Sequence, residues 1–217
     1  ISRWFLKNIW DYSLVNFGQI IMKRGELWMK SNDTEVTNVY WNEVVSPFFQ
    51  NRRFYLAATD KGLCRVLWPD EPWEILSSWI TKHIPNAVIK KDPKKLYAYE
   101  QQLVDYFTGK RTTFDVPLDM RGTKFREKVW KALQQIPYGQ TRSYADIAEA
   151  IGNSKAVRAV GTANGANPIP IVVPCHRVIG KNKTLTGFGG GLTNKKKLLH
   201  LEGYNDYIDK GHARYAF

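Results

Sequence analysis

The stretch Ser143-Tyr144-Ala145-Asp146-Ile147-Ala148-Glu149-Ala150-Ile151-Gly152-Asn153-Ser154-Lys155-Ala156-Val157-Arg158-Ala159-Val160-Gly161-Thr162-Ala163-Asn164 carries two helix starts and one tight turn. Ser143 stands at an N-cap position, where its hydroxyl can accept from first-turn amides, and Tyr144 to Ile151 follow with apolar residues at helical spacing. Gly152-Asn153 supplies a turn, and Ser154 is expected to cap a second helix from Lys155 to about Asn164. Two capped helices on a short glycine turn have the pattern of a helix-turn-helix, which an αα-hairpin without a DNA role shares. Composition favours the first. Between Asn153 and His200 lie eight Lys or Arg and no Asp or Glu, a face suited to a phosphate backbone.

The second helix is built from small residues, Ala156, Ala159, Gly161, Ala163 and Gly165, around one large side chain, Arg158. Small residues permit close packing against the first helix or close approach to another surface. An Arg projecting from so smooth a helix can enter a groove or the base stack, as wedge residues do when a nucleotide is extruded.

Upstream, Phe125, Val129, Trp130, Leu133 and Ile136 mark another helix, closed by Pro137-Tyr138-Gly139. Earlier still, Val39-Tyr40-Trp41, Phe54 to Ala58 and Leu63 to Trp68 are strand-like, with Asp60-Lys61-Gly62 as a turn, and helices are expected at Pro72 to Ile80 and Leu96 to Phe107. Four segments result: an N-terminal extension (1–38), a small α+β domain (39–110), a connection (111–122) and a mainly helical domain (123–217). The fold class is α+β. Cys64, on an apolar strand, is expected to be a buried, inert thiol.

The whole chain has 217 residues, 43% hydrophobic and 24% charged, with a net charge of +12 and pI about 9.6. It can bury a real core, and no apolar run approaches the roughly 20 residues of a membrane span. The charge points to a polyanionic partner. Two cysteines, Cys64 and Cys175, exclude a disulfide framework, leave too little thiol for a zinc cluster and point to a reducing, intracellular setting. Residues 1–22 lack the apolar core and cleavage site of a secretory signal. They read either as an amphipathic extension or as sequence preceding a natural start at Met22 or Met29, since purine-rich codons for Arg24-Gly25-Glu26 resemble a ribosome-binding site.

Chemistry concentrates in Asn167-Pro168-Ile169-Pro170-Ile171-Val172-Val173-Pro174-Cys175-His176-Arg177-Val178-Ile179-Gly180, where a short β-like run leads into adjacent Cys and His. A neighbouring base or cation raises the thiolate fraction of a cysteine, making Cys175 a candidate nucleophile. Strand neighbours face opposite ways, so spacing alone leaves a structural cysteine equally compatible.

Pro174 to Gly180 resembles the active-site signature of the O6-alkylguanine-DNA alkyltransferases, the methylated-DNA–protein-cysteine methyltransferases. The likeness runs from about Gly122 to Gly203, taking in Ser143-Tyr144, Lys155 to Gly161, Asn164 to Pro174, Gly189 to Leu192 and Leu198 to Gly203. It implies an RNase H-like N-terminal domain, matched here in length and strand order only, and DNA repair by base flipping. O6-alkylguanine is everted from double-stranded DNA, and its alkyl group passes irreversibly to Cys175, once per molecule. The resemblance makes His176 the base, acting through a water, and Glu202 its orienter. Asn167 braces the nucleophile's turn, while Tyr144 assists the departing guanine and contacts the flipped phosphate. Arg158 fills the vacated stack, with Ala156, Ala159 and Gly161 allowing minor-groove approach. The backbone of Cys175 and Val178 accepts from the guanine amine, and Pro170, Phe188, Gly189 and the rest of the loop from Gly187 to Gly191 wall the pocket.

Such a displacement needs no metal or cofactor, and a monomer working in the cytoplasm, or in the nucleus of a eukaryote, is implied. Whether O4-alkylthymine is also repaired stays open. Some relatives carry tyrosine in place of Phe188, and some a zinc site for which the N-terminal part here offers only Cys64 and His83. Lys195-Lys196-Lys197 is expected to form a solvated helix face. Competing readings are a lesion-binding or regulatory helix-turn-helix module, which would not use the thiol, and a cysteine hydrolase, which lacks a nucleophile elbow and any use for the charge.

Overall fold

The computed structural model describes residues 36–209 and the backbone of two strands, β1 (Ile20–Lys23) and β2 (Glu26–Met29). These two pair antiparallel as a unit by themselves. The readings of residues 1–38 as an amphipathic extension, or as sequence preceding a natural start, fall at 1–19, 24–25 and 30–35 outside the described residues.

Residues 36–209 belong to one compact unit. Its sheet, in the order β5-β4-β3-β6, comprises β3 (Thr37–Ser46), β4 (Arg52–Thr59), β5 (Gly62–Val66) and β6 (Ala87–Lys91). β3, β4 and β5 are antiparallel neighbours, and β6 runs parallel to β3. Alternation along the strands divides the core between two faces. Val39, Tyr55, Ala57 and Cys64 pack against Leu76, Ile80 and Ile84 on and after α1 (Trp73–His83). Val44, Phe54, Leu56 and Ala58 turn the other way, onto Leu96, Leu103, Tyr106 and Phe107 of α2 (Pro93–Phe107). Cys64 is fully buried, donates to the Ala57 carbonyl at 3.3 Å, and has its thiol pushed up to about 12, chiefly by burial.

The α2 face of the core continues without a break into the helical part through Val129, Trp130, Leu133, Ile147, Val160 and Leu198. That part holds α3 (Lys124–Leu133), α4 (Tyr144–Ala150), α5 (Val157–Gly165), α6 (Gly191–Leu201) and the two-residue parallel strands β7 (Arg142–Ser143) and β8 (Val178–Ile179). The connecting segment lies along β5: Leu63 N–H bonds the Pro117 carbonyl at 2.9 Å, and Asp119 N–H returns to Leu63 at 2.8 Å. Gly62, at φ +144°, leaves no room there, for a Cβ would sit 2.4 Å from the Pro117 oxygen.

The expected strands and helices are present, including the Ser143 cap, which forms a full capping box with Asp146. Four details differ. β6 was not anticipated, because Ala-Val-Ile-Lys-Lys on an exposed edge has no alternating pattern. α3 ends at Leu133; Pro137 disfavours helix at Ile136, which is buried from the following turn. Ser154 caps nothing: the Ala156 amide is taken by the Asn153 carbonyl at 2.9 Å, so the chain turns once more and α5 begins at Val157. Finally, Ile169 to Val173 is no strand. Pro168, Pro170 and Pro174 lack ladder donors, and Ile171 sits at φ +75° in a turn closed by Val173 N–H on the Ile169 carbonyl.

Candidate active site

Cys175–Arg177 form a single 3₁₀ turn rather than the end of a strand, and all three side chains are buried. Two asparagines secure this turn. Asn167 donates to the Val173 carbonyl at 2.8 Å and accepts from Ile169 N–H at 3.0 Å, and Asn164, buried on α5, donates to the Cys175 carbonyl at 3.4 Å. Asn167 thus ties the start of the Ile169 to Val173 segment to its end, immediately before Pro174-Cys175.

Glu202, just past α6, is the hub on which the turn converges. Arg177 grips its carboxylate through Nε (2.9 Å) and Nη2 (2.8 Å) while Nη1 holds the Ile136 carbonyl. Gly139 N–H donates at 3.1 Å, the Tyr106 hydroxyl from α2 donates to Oε1, and His176 Nε2 lies 2.8 Å from the same oxygen. Burial opposes the carboxylate's charge, but His176 and Arg177 outweigh it and hold Glu202 down to about 2. An ionised carboxylate only accepts, so His176 must carry its proton on Nε2. Burial lowers the pKa of the imidazole more than Glu202 raises it, so the ring rests neutral. Nδ1 is left with its lone pair, buried and without a partner among the described residues.

Cys175 is 4% exposed, and burial pushes its thiol up to about 11 against the opposing pull of Asn167 and Lys195. Lys195 corrects an expectation. It is not on a solvated face but fully buried, its Nζ 2.6 Å from the Val178 carbonyl and 5.6 Å over the Phe188 ring. Burial lowers its ammonium to about 8, while the nearby Cys175 works in the opposite direction. The signal existed in the sequence: Lys195 lies three residues from both Leu192 and Leu198, on the apolar stripe of α6. Lys196, by contrast, pairs with Asp209 near the surface.

Tyr144 is half-buried at the start of α4, its hydroxyl 2.7 Å from Thr186 Oγ1 and its ring facing Gly161, where an added Cβ would meet it at 3.8 Å. Burial raises its pKa. On α5, Val160, Ala163 and Asn164 face the core, where Trp130 Nε1 donates to the Ala163 carbonyl at 2.8 Å. Arg158 and Ala159 are exposed, Ala156 and Gly161 partly so, and the Arg158 guanidinium has no partner among the described residues. Pro170 is buried, Gly189 exposed and Phe188 in between. The Cys175 carbonyl accepts from both Asn164 and the Val178 N–H, whereas the Val178 carbonyl accepts from Lys195.

The positive face is narrower than composition implied. Of the eight basic residues between Asn153 and His200, Arg177 and Lys195 are buried in the site, and Lys183 and Lys196 pair with Asp206 and Asp209. Sequence reasoning assigned no role to Arg177, Tyr106 or Thr186. Arg177 stood inside the quoted motif. Tyr106 was read as one more apolar position of α2, and nothing local links it to Glu202.

Two family models match the chain. The DNA binding domain of 6-O-methylguanine DNA methyltransferase covers residues 124–204, and its ribonuclease-like domain covers residues 49–120. An inducible methylated-DNA–protein-cysteine methyltransferase of Bacillus subtilis is 47% identical over 170 residues, which span 78% of this chain and 93% of that one. A crystal structure of Mycobacterium tuberculosis O6-methylguanine methyltransferase superposes with a TM-score of 0.65 at 44% identity, covering 76% of this chain and 92% of that one. A structure of Mycobacterium tuberculosis OGT in complex with DNA superposes with a TM-score of 0.63 at 41% identity, covering 75% of this chain and 92% of that one.

Proposed function

Since the chain belongs to the 6-O-methylguanine DNA methyltransferase family, we propose that Cys175 is the sulfur that receives the alkyl group, with O6-alkylguanine in duplex DNA as donor. The activity itself is DNA repair by alkyl transfer to a protein cysteine. In this reading residues 123–217 bind DNA and react, residues 39–110 support them, and the protein works as a monomer in the cytoplasm.

The observation that carries the assignment is the buried Glu202–His176 pair, with His176 adjoining Cys175 on one 3₁₀ turn. Ionised Glu202 fixes the Nε2–H tautomer, so Nδ1 is the basic nitrogen. The Cys175 proton passes to Nδ1 through a bridging water, the sulfur attacks the O6-bound carbon, an S–C bond forms and the C–O bond breaks. The guanine leaves with the electron pair, stabilised by a hydrogen bond from Tyr144. Lys195 supplies the positive charge that offsets the cost of a buried thiolate. Because O6 is inaccessible inside a stacked duplex, the nucleotide must be everted, and the exposed Arg158 fills the gap from the minor-groove side with Ala156, Ala159 and Gly161 beneath it. The carbonyls of Cys175 and Val178 receive the guanine amine, and Pro170, Phe188 and Gly189 enclose the base.

The resulting thioether has no easy route back, so transfer is stoichiometric. Intact mass after incubation with O6-methylguanine duplex should show one methyl increment, mapped by peptide sequencing to Cys175 and absent from Cys175→Ala. Several turnovers per molecule, or label on Cys64, would refute the reading. Arg158→Ala should slow transfer from duplex more than transfer from the free modified base.

A further inference from the structure

Just beyond β5, the chain meets both walls of the substrate pocket. Val66 donates its N–H to the Pro168 carbonyl at 2.9 Å, between Asn167 and the wall residue Pro170. Two residues on, Trp68 packs edge-to-face on Phe188, with ring centroids 5.1 Å apart at 66°, and on Phe49 of the N-terminal part at 6.3 Å and 87°. The indole lies directly over the loop backbone: a Cβ on Gly190 would stand 2.3 Å from its Cε2, so glycine alone fits. At Gly189 the fit is looser, since a Cβ there would only reach ordinary van der Waals contact with Trp68 Nε1 at 4.0 Å and the Gly165 carbonyl at 3.8 Å. Trp68 is itself anchored, since its N–H donates to Glu71 at 2.7 Å and the preceding Leu67 N–H bonds the Tyr55 carbonyl at 2.9 Å. Phe188 is thereby caught between the indole and the Lys195 ammonium.

We propose that Trp68 is a positioning residue that sets the size of alkyl group the protein accepts, by fixing Phe188 and the Gly189-Gly190 backbone as an immobile wall. The inference rests on the reading of Cys175 as acceptor and of the Gly187 to Gly191 loop as pocket wall. A rigid wall penalises bulk, and removing its buttress relieves that penalty for large groups while offering nothing to a methyl. Discrimination by apolar pocket shape is worth on the order of 1–3 kcal/mol, which bounds the effect at roughly 10- to 200-fold.

The test measures single-turnover transfer to the full-length protein from duplexes carrying O6-methylguanine or O6-benzylguanine, read by intact mass. Trp68→Ala should raise the benzyl-to-methyl rate ratio by about five-fold or more, and Trp68→Phe, which keeps a ring against Phe188, should stay within about two-fold of wild type. Gly190→Ala, which drives a methyl into the indole, should shift the ratio by a similar factor, and adding Trp68→Ala should cancel that shift. A Trp68→Ala protein with wild-type thermal unfolding and an unchanged ratio overturns the proposal. If Trp68→Ala does not fold, a Gly190→Ala ratio equal to wild type overturns it instead. Failure of the wild type to transfer either group would sink the Cys175 reading beneath it.

Discussion

Two charges are buried within reach of the same turn, and they are treated in opposite ways. Glu202 is surrounded by donors: Arg177 through two nitrogens, His176, Tyr106 and the Gly139 amide. Lys195 has one carbonyl and one ring face. The first charge is compensated, and the carboxylate stays ionised far below its ordinary range. The second is tolerated at a cost, its ammonium lowered to about 8. A fully satisfied ion holds structure together, whereas an under-satisfied one near the proposed acceptor sulfur marks a candidate functional charge.

The contrast is broken most forcefully at Glu202. Glu202→Ala strands the Arg177 guanidinium in a dry environment and frees the His176 tautomer, so a loss of about 3–5 kcal/mol is expected, the range for removing one partner of a buried pair. Denaturant unfolding measures it, and a loss below 1 kcal/mol would show that the hub is dispensable.

Lys195→Met should act in the reverse sense on stability while impairing chemistry. The fall from 10.5 to about 8 corresponds to roughly 3 kcal/mol of burial cost at 1.36 kcal/mol per unit, part of which is returned when the Val178 carbonyl loses its donor. We expect a net gain of about 1–3 kcal/mol at pH 7, with slower methyl transfer. The sign is specific. A lysine with a depressed folded-state pKa is penalised below about pH 8 and relieved as pH climbs towards 10.5, so the variant's advantage should shrink across that window.

Acid should undo the Glu202 side in two stages. His176 rests neutral with its pKa below 6.5, so the unfolded chain binds a proton that the folded one refuses, and stability falls as pH drops below about 6.5. Glu202 adds a second loss, starting near its ordinary 4.5 and running down to about 2. His176→Asn should flatten the first stage and leave the second. Equal slopes for both proteins between pH 6.5 and 5 would remove the neutral imidazole from the account.

These two charges also mark how far the sequence could be read. The α4–α5 pair was legible because its signals are local: a serine cap, an acidic partner three residues on, and apolar residues at helical spacing. Cys175 beside His176 was legible locally as a candidate nucleophile but no more so than as a structural cysteine; the roles of His176 and Glu202 came only through a resemblance, and their contacts needed coordinates. Lys195 carried its own signal, apolar neighbours three residues away on either side, which the triple-lysine composition obscured. β6 gave none, since its pairing with β3 is set by tertiary context on an exposed edge.

Tyr106 is the subtlest of the hub's members and tests the division of labour between the two halves. It is a side chain of α2 that hydrogen-bonds Glu202, 96 residues away in sequence. Burial, with Glu202 beside it, raises its hydroxyl well above the ordinary tyrosine range, so it is a donor at every accessible pH. Tyr106→Phe keeps the ring packed against Phe107, Phe114 and Tyr138 and deletes only the hydrogen bond. A hydrogen bond to a charged acceptor is worth about 1.5–3 kcal/mol, but Arg177 and His176 remain on the same oxygen, so the expected loss falls at or just below the lower bound, about 1–1.5 kcal/mol. With Glu202 still ionised and His176 still oriented, methyl transfer should slow by less than about ten-fold, the equivalent of 1.4 kcal/mol. A larger kinetic loss without a matching loss of stability would mean that the N-terminal half helps set the imidazole's basicity instead of merely supporting the carboxylate that does.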